Sequence, residues 1–457
     1  LDVLADNVAM KAGSNRIVLL SLAITTFDLS IVDSISLSPR QIQHLSLGTG
    51  GTTSLHWIPE DSNIIAGTKK GELYHSFLQT EPNRNIKRDG DYDDLTGNHL
   101  DKNNDGSNET KLDRWVELES KDYKTKYPIY STAVIGRDRC TNLFSSGHEK
   151  FLCFGSGDRW ISVWKCKKDD PENQPADFEF VQKLGPHTGW VKALVYDDRN
   201  LLLHSIGCNC IESWDCSGLM IGSKDRINDT ASPNPIISHL TKRTIENSPS
   251  MGTTLSSDLL CLSLLPPTDE TLPSLLVSGG VDGRIHMWLS NPTEEPCGTT
   301  AKLNSKIPLH TLLAHDGRVN AIIYSPATKL IYTAGNDGFL CAFRASLRDG
   351  LELVSKRNIQ KELQGKLSRI TVVSILRECE NVCHLVLGSA EGQLCFVTTK
   401  INEGSVDIRI DGDCVTVADD SMIYSITSEI DKPNSVASTP RIWIGHASGL
   451  AVVDEYV

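Results

Sequence analysis

The chain has 457 residues, of which 39% are hydrophobic and 23% charged, enough for several ordinary cores or one large repeat fold. Its 45 Lys and Arg against 58 Asp and Glu leave a net charge of −13, which argues against a nucleic acid backbone as main partner. No run reaches the roughly 18–20 apolar residues of a membrane-spanning helix, so a membrane span is not expected.

The most apolar early stretch, Ile17 to Ile24, is too short to span a bilayer. The chain starts on Leu1, so a targeting peptide upstream stays open. The 13 cysteines are odd in number, and most sit singly in strand-like runs, as at Cys153, Cys261, Cys341 and Cys395. Buried reduced thiols in a cytoplasmic or nuclear protein explain that better than a disulfide frame.

In chain order, Val8 to Leu20 reads as a short hairpin around Gly13, Ser14 and Asn15, and Asp28 to Leu37 as a further strand. Ser54 to Ile58 opens a new unit, completed by a hairpin over Ile64 to Tyr74. Gln79 to Thr110 is rich in Asp, Asn and Gly and nearly free of aliphatic residues. It reads as a disordered polar insertion, because it buries too little to offset the entropy of ordering. Asp101 to Gly106 begins like a calcium loop, but its twelfth position is Leu112, where a bidentate Glu belongs. Calcium is therefore set aside, and no metal or other cofactor is expected.

Leu152 to Trp164 forms the next strand-turn-strand phrase. Phe178 to Leu184 is an outer-strand candidate, and Gly185-Pro-His187 leads into a third hairpin over Leu201 to Asp215, whose turn is one residue short. Gly222 to Ser257 reads as a second polar insertion, carrying the candidate phosphorylation sites Ser232-Pro233 and Ser248-Pro249. The phrase returns at Leu276 to Trp288 and at Ile331 to Phe343. Arg369 to Leu376 with His384 to Phe396, and Met422 to Ser428 with Ile442 to Val452, complete the series. Turn residues such as Gly280, Asp282 and Gly283, between β-branched and aromatic runs, make such a copy a hairpin, and the repetition of the phrase along one chain signals a repeat architecture.

These phrases resemble the second half of WD40 repeats. Gly185-Pro-His187 and Ala314-His315 resemble the Gly-His opening of such a repeat, and Trp214-Asp215 is a literal Trp-Asp pair. The resemblance implies an all-β fold, a single β-propeller over residues 1–457 with four-stranded antiparallel blades. Turn-to-turn spacing exceeds the roughly 40–45 residues of a compact unit, the excess lying in the two insertions and in long outer connections. Seven blades are favoured if Asp28 to Leu37 supplies the last outer strand, and eight if Val8 to Leu20 is a blade of its own.

The resemblance also implies a buried network in each blade of His, Ser or Thr, Asp and Trp. His315, Thr333 and Asp337 are present in one blade, with Phe343 at the Trp place. Ser278, Asp282 and Trp288 occur in another without a matching His, and His187, Ser205 and Trp214 in a third without the Asp. Their coincidence with the repeat register makes them structural parts, not a hydrolase triad. The close pairs Cys208/Cys210 and Cys379/Cys383 do not match paired zinc knuckles.

The function this implies is a non-catalytic scaffold that binds other proteins or peptides within a larger complex. By position, the residues preceding the first strands, Thr188, Trp190, Asp316, Arg318 and Arg369, are the candidates for partner contact. Two alternatives are weighed. A substrate receptor of a ubiquitin ligase often carries Trp-Asp-x-Arg, and Trp214-Asp-Cys-Ser217 lacks the Arg. A propeller-based enzyme needs converging acids or metal ligands, which no motif supplies.

Overall fold

A computed structural model describes residues 39–45, 47, 50–58, 63–77, 114–118, 123–136, 150–167, 177–219, 237–245, 258–267, 269, 271–291, 307–402, 405–428 and 441–456. The hairpin expected at 8–20, the strand expected at 28–37, the calcium-like loop, both Ser-Pro sites and the whole of 79–110 lie outside these residues.

The strands fall into seven sheets, each an antiparallel blade. The first strand, β1 (Pro39–Leu45), is held back for the last blade. Blade 1 is β2 (Thr52–Ile58), β3 (Asn63–Thr68), β4 (Leu73–Phe77) and β5 (Arg114–Glu117). Blade 2 is β6 (Ile129–Ile135), β7 (Phe151–Ser156), β8 (Ile161–Lys167) and β9 (Asp177–Leu184). Blade 3 is β10 (Val191–Asp197), β11 (Leu202–Gly207), β12 (Cys210–Asp215) and β13 (Ser238–Thr244). Blade 4 is β14 (Leu259–Leu265), β15 (Leu275–Gly280), β16 (Arg284–Leu289) and β17 (His310–Leu313). Blade 5 is β18 (Val319–Ser325), β19 (Leu330–Gly335), β20 (Phe339–Ser346) and β21 (Gly350–Asn358), followed by a one-turn helix α1 (Ile359–Glu362). Blade 6 is β22 (Ile370–Cys379), β23 (Val382–Ser389), β24 (Gln393–Asn402) and β25 (Ser405–Ile410), with β26 (Val415–Thr416) also on β24. Blade 7 is β27 (Ile423–Ser428), β28 (Ile442–His446) and β29 (Gly449–Tyr456), completed by β1.

The inner strands touch in a closed cycle, β2 to β6, β10, β14, β18, β22, β27 and back to β2. The closing strand corrects the expectation from sequence. It is Pro39–Leu45, paired antiparallel to β29 with His44 opposite Ala451, and not Asp28 to Leu37. Such an outer strand has only one neighbour, so it needs hydrogen-bonding backbone more than an apolar pattern. Its sequence, PRQIQHL, carries little apolar signal.

The second strands explain the apolar phrases. FLCFGS, LLHSIG, LLVSGG and LIYTAG are buried at every position, because both faces of each blade are covered by neighbours. Each junction between adjacent blades holds one apolar cluster, and the clusters run right round the ring. Burial at about 25 cal/mol per Å² of apolar surface is what holds the blades together. The glycine near the end of β15 has its own reason. A Cβ on Gly279 would lie 2.6 Å from Val319 of the next inner strand.

The polar stretch 222–257 needs a second correction. Ser238–Thr244 within it is the outer strand of blade 3. Six of its residues are exposed or half-buried and only Arg243 is buried, so the strand has no apolar period to read.

Candidate docking face

The chain entering each inner strand and the turn joining the second and third strands lie together on one face. Backbone bonds tie them: Gly157 N–H donates to Pro128 O, Asn336 to Arg318 O, Ala390 to Arg369 O and Ala447 to Met422 O, all at 2.9–3.0 Å. The turn glycines are demanding. Gly283 has φ +79°, and a Cβ there would stand 2.1 Å from the His315 carbonyl.

Beneath this face sit the polar networks. In blade 5, His315 Nδ1 lies 2.9 Å from Asp337 Oδ1 and Nε2 lies 2.8 Å from Thr333 Oγ1. A carboxylate only accepts, so Nδ1 donates to Asp337. Burial pushes the Asp337 carboxyl up. The His315 bond, with the N–H groups of Asp316 and Phe339, outweighs that and holds it below the ordinary value. Phe343 is fully buried at the Trp place. In blade 3, His187 Nδ1 faces the Arg159 carbonyl at 3.3 Å, and Nε2 meets Ser205 Oγ at 2.7 Å. Trp214 Nε1 donates to the same hydroxyl at 2.9 Å. The turn Cys208-Asn209 is too short to bring an Asp, and Cys208 takes φ +54° to close it. In blade 4, Trp288 Nε1 donates to Ser278 Oγ at 3.0 Å, and Asp282 Oδ1 accepts from Arg284 N–H inside the turn. These His, Ser and Thr side chains are all at most 2% exposed, which keeps their hydroxyls from acting on a solvent-borne substrate.

A further buried network links blades 3 and 4, and nothing in the sequence announced it. Arg243 donates to Leu289 O and to Ser213 Oγ. Ser213 meets His204 Nδ1 at 2.8 Å, His204 Nε2 meets Ser290 at 2.9 Å, and Ser290 donates to Asp197. Burial pushes the His204 imidazole well below its usual range and brings Arg243 down to about 10.

Thr188, Trp190, Asp316, Arg318 and Arg369 are all exposed on the face. Trp190 is 52% exposed, its ring stacked on Tyr130 at 5.7 Å. The Lys192 ammonium caps both rings, 4.1 Å from the Tyr130 centroid and 4.7 Å from that of Trp190. Burial, then the charge of Arg318, pushes the Lys192 ammonium down, and Asp258 partly offsets this. The Arg318 charge thus acts on Lys192 across the face. Arg369 is drawn toward Glu391 at 3.6 Å, and Thr188 turns its hydroxyl inward to Gly207 O at 3.4 Å. Asp316 anchors its backbone N–H on Asp337 and leaves its carboxylate outward.

Sequence reasoning passed over Tyr130, Lys192 and the 55% exposed Tyr127. Tyr130 and Lys192 are the second residues of β6 and β10, and the same position holds Thr53, Asn320 and Thr371 in other blades. Those three bond across to the next inner strand, to Ile129 O, Ile370 O and Ile423 O. Aligning the inner strands by that position would have found the pair.

Among the described residues no group of three or more His, Cys, Asp or Glu side chains is placed to hold a metal, and no helix is long and apolar enough to cross a membrane. A family model described as WD domain, G-beta repeat matches residues 306–343. That span covers the outer strand of blade 4 and the inner strands of blade 5. With seven four-stranded blades closed in a ring around it, this decides the family. The chain is a WD40-repeat β-propeller. The matched repeat is the one in which His, Thr and Asp are all in place. A search of curated proteins gave no match. WD40 propellers generally mediate protein–protein interaction and are typically non-enzymatic.

Proposed function

We propose that this WD40 propeller is a non-catalytic scaffold that holds partner proteins on the face built from its inner-strand entries, within a larger complex. The observation that carries the reading is the solvent-facing Trp190, set on Tyr130 and Lys192 at the rim of a rigid ring. An aromatic ring held at fixed height and half-exposed is the kind of side chain enriched at energetic centres of interfaces, as is the neighbouring Arg318. Strands packed on both faces fix the positions of the loops, while the loops carry the variable side chains.

The test is affinity purification of the full chain with mass spectrometry of bound proteins, comparing wild type with Trp190→Ala and Arg318→Ala. Both side chains are exposed, so the fold should survive. The expected result is loss of a defined subset of partners in both variants. An unchanged partner set in both would rule this face out as the docking surface.

A further inference from the structure

The charge on the docking face is divided, and the division runs against the composition of the chain. The protein as a whole carries −13. Over blades 1 to 3, however, the loops and strand ends of this face present Lys69, Lys124, Lys126, Arg159, Lys183 and Lys192. The carboxylates among them are partly engaged. Asp158 accepts from the Trp160 N–H at 3.1 Å, and Glu72 shares a hydrogen bond with the Thr68 hydroxyl at 3.0 Å. Across the channel, over blades 4 to 6, the corresponding loops carry Asp258, Asp282, Asp316, Asp337 and Glu391 together with Arg284, Arg318 and Arg369, and Arg284 and Arg369 face Asp282 and Glu391. One face therefore has a basic sector and a sector of mixed charge.

The basic sector is also the aromatic one. Tyr127 and Trp190 are 55% and 52% exposed, and Tyr130 lies beneath Trp190. This ring pair is not an open cage for a cation, since Lys192 already occupies its π faces. A second ammonium or guanidinium would meet Lys192 and the neighbouring Arg318 as like charges. Among the described residues no carboxylate lies within ion-pairing distance of Lys192. Asp258 acts on this half-buried ammonium only in part against burial and Arg318, so an incoming carboxylate would add countercharge, and an apolar side chain would cover the open side of Trp190.

We infer that the sector over blades 1 to 3 receives an acidic segment of a partner protein, rich in Asp or Glu, with an apolar side chain set against Trp190. This rests on the docking reading above and names the chemistry of its partner. Complementary charge of this kind acts mainly on encounter rate and selectivity, so binding should be salt-sensitive. The net charge of −13 works against a nucleic acid in the same place, because a chain of phosphates is repelled by the protein as a whole.

The experiment is fluorescence anisotropy on the full chain with short labelled peptides. One carries Asp and Glu around a single Leu or Phe. Two others carry Lys, or Asn and Gln, in place of the acids. A single-stranded oligonucleotide is the fourth probe. The acidic peptide should bind, and weaken roughly tenfold or more between about 50 and 300 mM salt. The triple exchange Lys124→Glu, Lys126→Glu, Arg159→Glu should weaken it by a similar factor, and so should Trp190→Ala. All four side chains are exposed or half-exposed, and circular dichroism checks that the variants fold.

Equal binding of the neutral or basic peptide overturns the inference, as does tighter binding of the oligonucleotide. No binding of the acidic peptide at about 1 mM, an affinity weaker than about −4 kcal/mol, also overturns it. If Trp190→Ala removes cellular partners while the triple exchange leaves them all in place, docking stands and the acidic partner falls. If neither variant changes the partner set, the docking reading itself fails.

Discussion

Replacing Arg243 with alanine removes the one fully buried guanidinium among the described residues, and it does so in a strand that looks like loop in the sequence. Two charged hydrogen bonds are lost, to Leu289 O and Ser213 Oγ, together with a contact 5.9 Å above the Trp288 ring. Hydrogen bonds to a charged group are worth about 1.5–3 kcal/mol net, and the cation–π contact about 0.5–2 kcal/mol. Against this stands the burial that brings Arg243 to about 10. The folded chain holds this proton less tightly than the unfolded chain does. At neutral pH both are protonated, so burying the charge opposes folding by on the order of 3 kcal/mol. Alanine relieves that term but leaves the Leu289 carbonyl unpaired in a cavity. With these terms set against each other, a net loss of about 2–4 kcal/mol is expected. Methionine fills the space without the charge and should recover at least half of the loss. The assay is urea unfolding followed by tryptophan fluorescence, since Trp288 lies under the guanidinium. An alanine variant within about 0.5 kcal/mol of wild type, the range of ordinary surface changes, would refute the docking of Ser238–Thr244 on blade 3.

Other outcomes follow from the same geometry. Gly283→Ala forces a Cβ against the His315 carbonyl at φ +79° and should lose about 2–3 kcal/mol by the same unfolding assay; a neutral result would contradict this turn geometry. Asp337 is held below its ordinary value, so its bonds to His315 add stability above the unfolded pKa of about 3.9, and that stability is lost as pH falls through the lower folded value. Thermal unfolding from pH 6 down to about 2 should therefore show a shallower acid-side decline in Asp337→Asn, with the variant less stable at neutral pH. Trp214→Phe removes the N–H that Ser205 accepts and the pyrrole part of a buried indole, and should cost about 2 kcal/mol or more, measured as a shift in the urea midpoint.

Much of the ring is legible in the chain because the second and third strands are squeezed between neighbours. Leu152 to Trp164, Leu276 to Trp288 and Ile331 to Phe343 must be apolar on both faces and must turn tightly, so their sequences are constrained at nearly every position. The outer strands carry no such constraint. Asp177–Leu184 stood out through Phe178 and Phe180, which pack near Trp164, whereas Ser238–Thr244 and Pro39–Leu45 have nothing comparable. The local networks were readable where one hairpin and its entry supply every member, as with His315, Thr333 and Asp337. The chain from Arg243 to Asp197 was not, since its members come from all four strands of blade 3 and from the end of β16 across the blade boundary. At the candidate site, Trp190 and Arg318 fall at positions that sequence register can mark. Lys192 and Tyr130 gain their role only when the ring sets two inner strands side by side.

Ring closure by β1 is what makes the face rigid, and hydrogen exchange reads it directly. In the full chain the amides of residues 449–456 that bond to Pro39–Leu45 should be strongly protected, because β29 then lies inside a sheet. In a chain lacking residues 1–45 the same amides become an open edge and should exchange orders of magnitude faster. Equal exchange of 449–456 in both chains would show that the seventh blade closes some other way, or not at all.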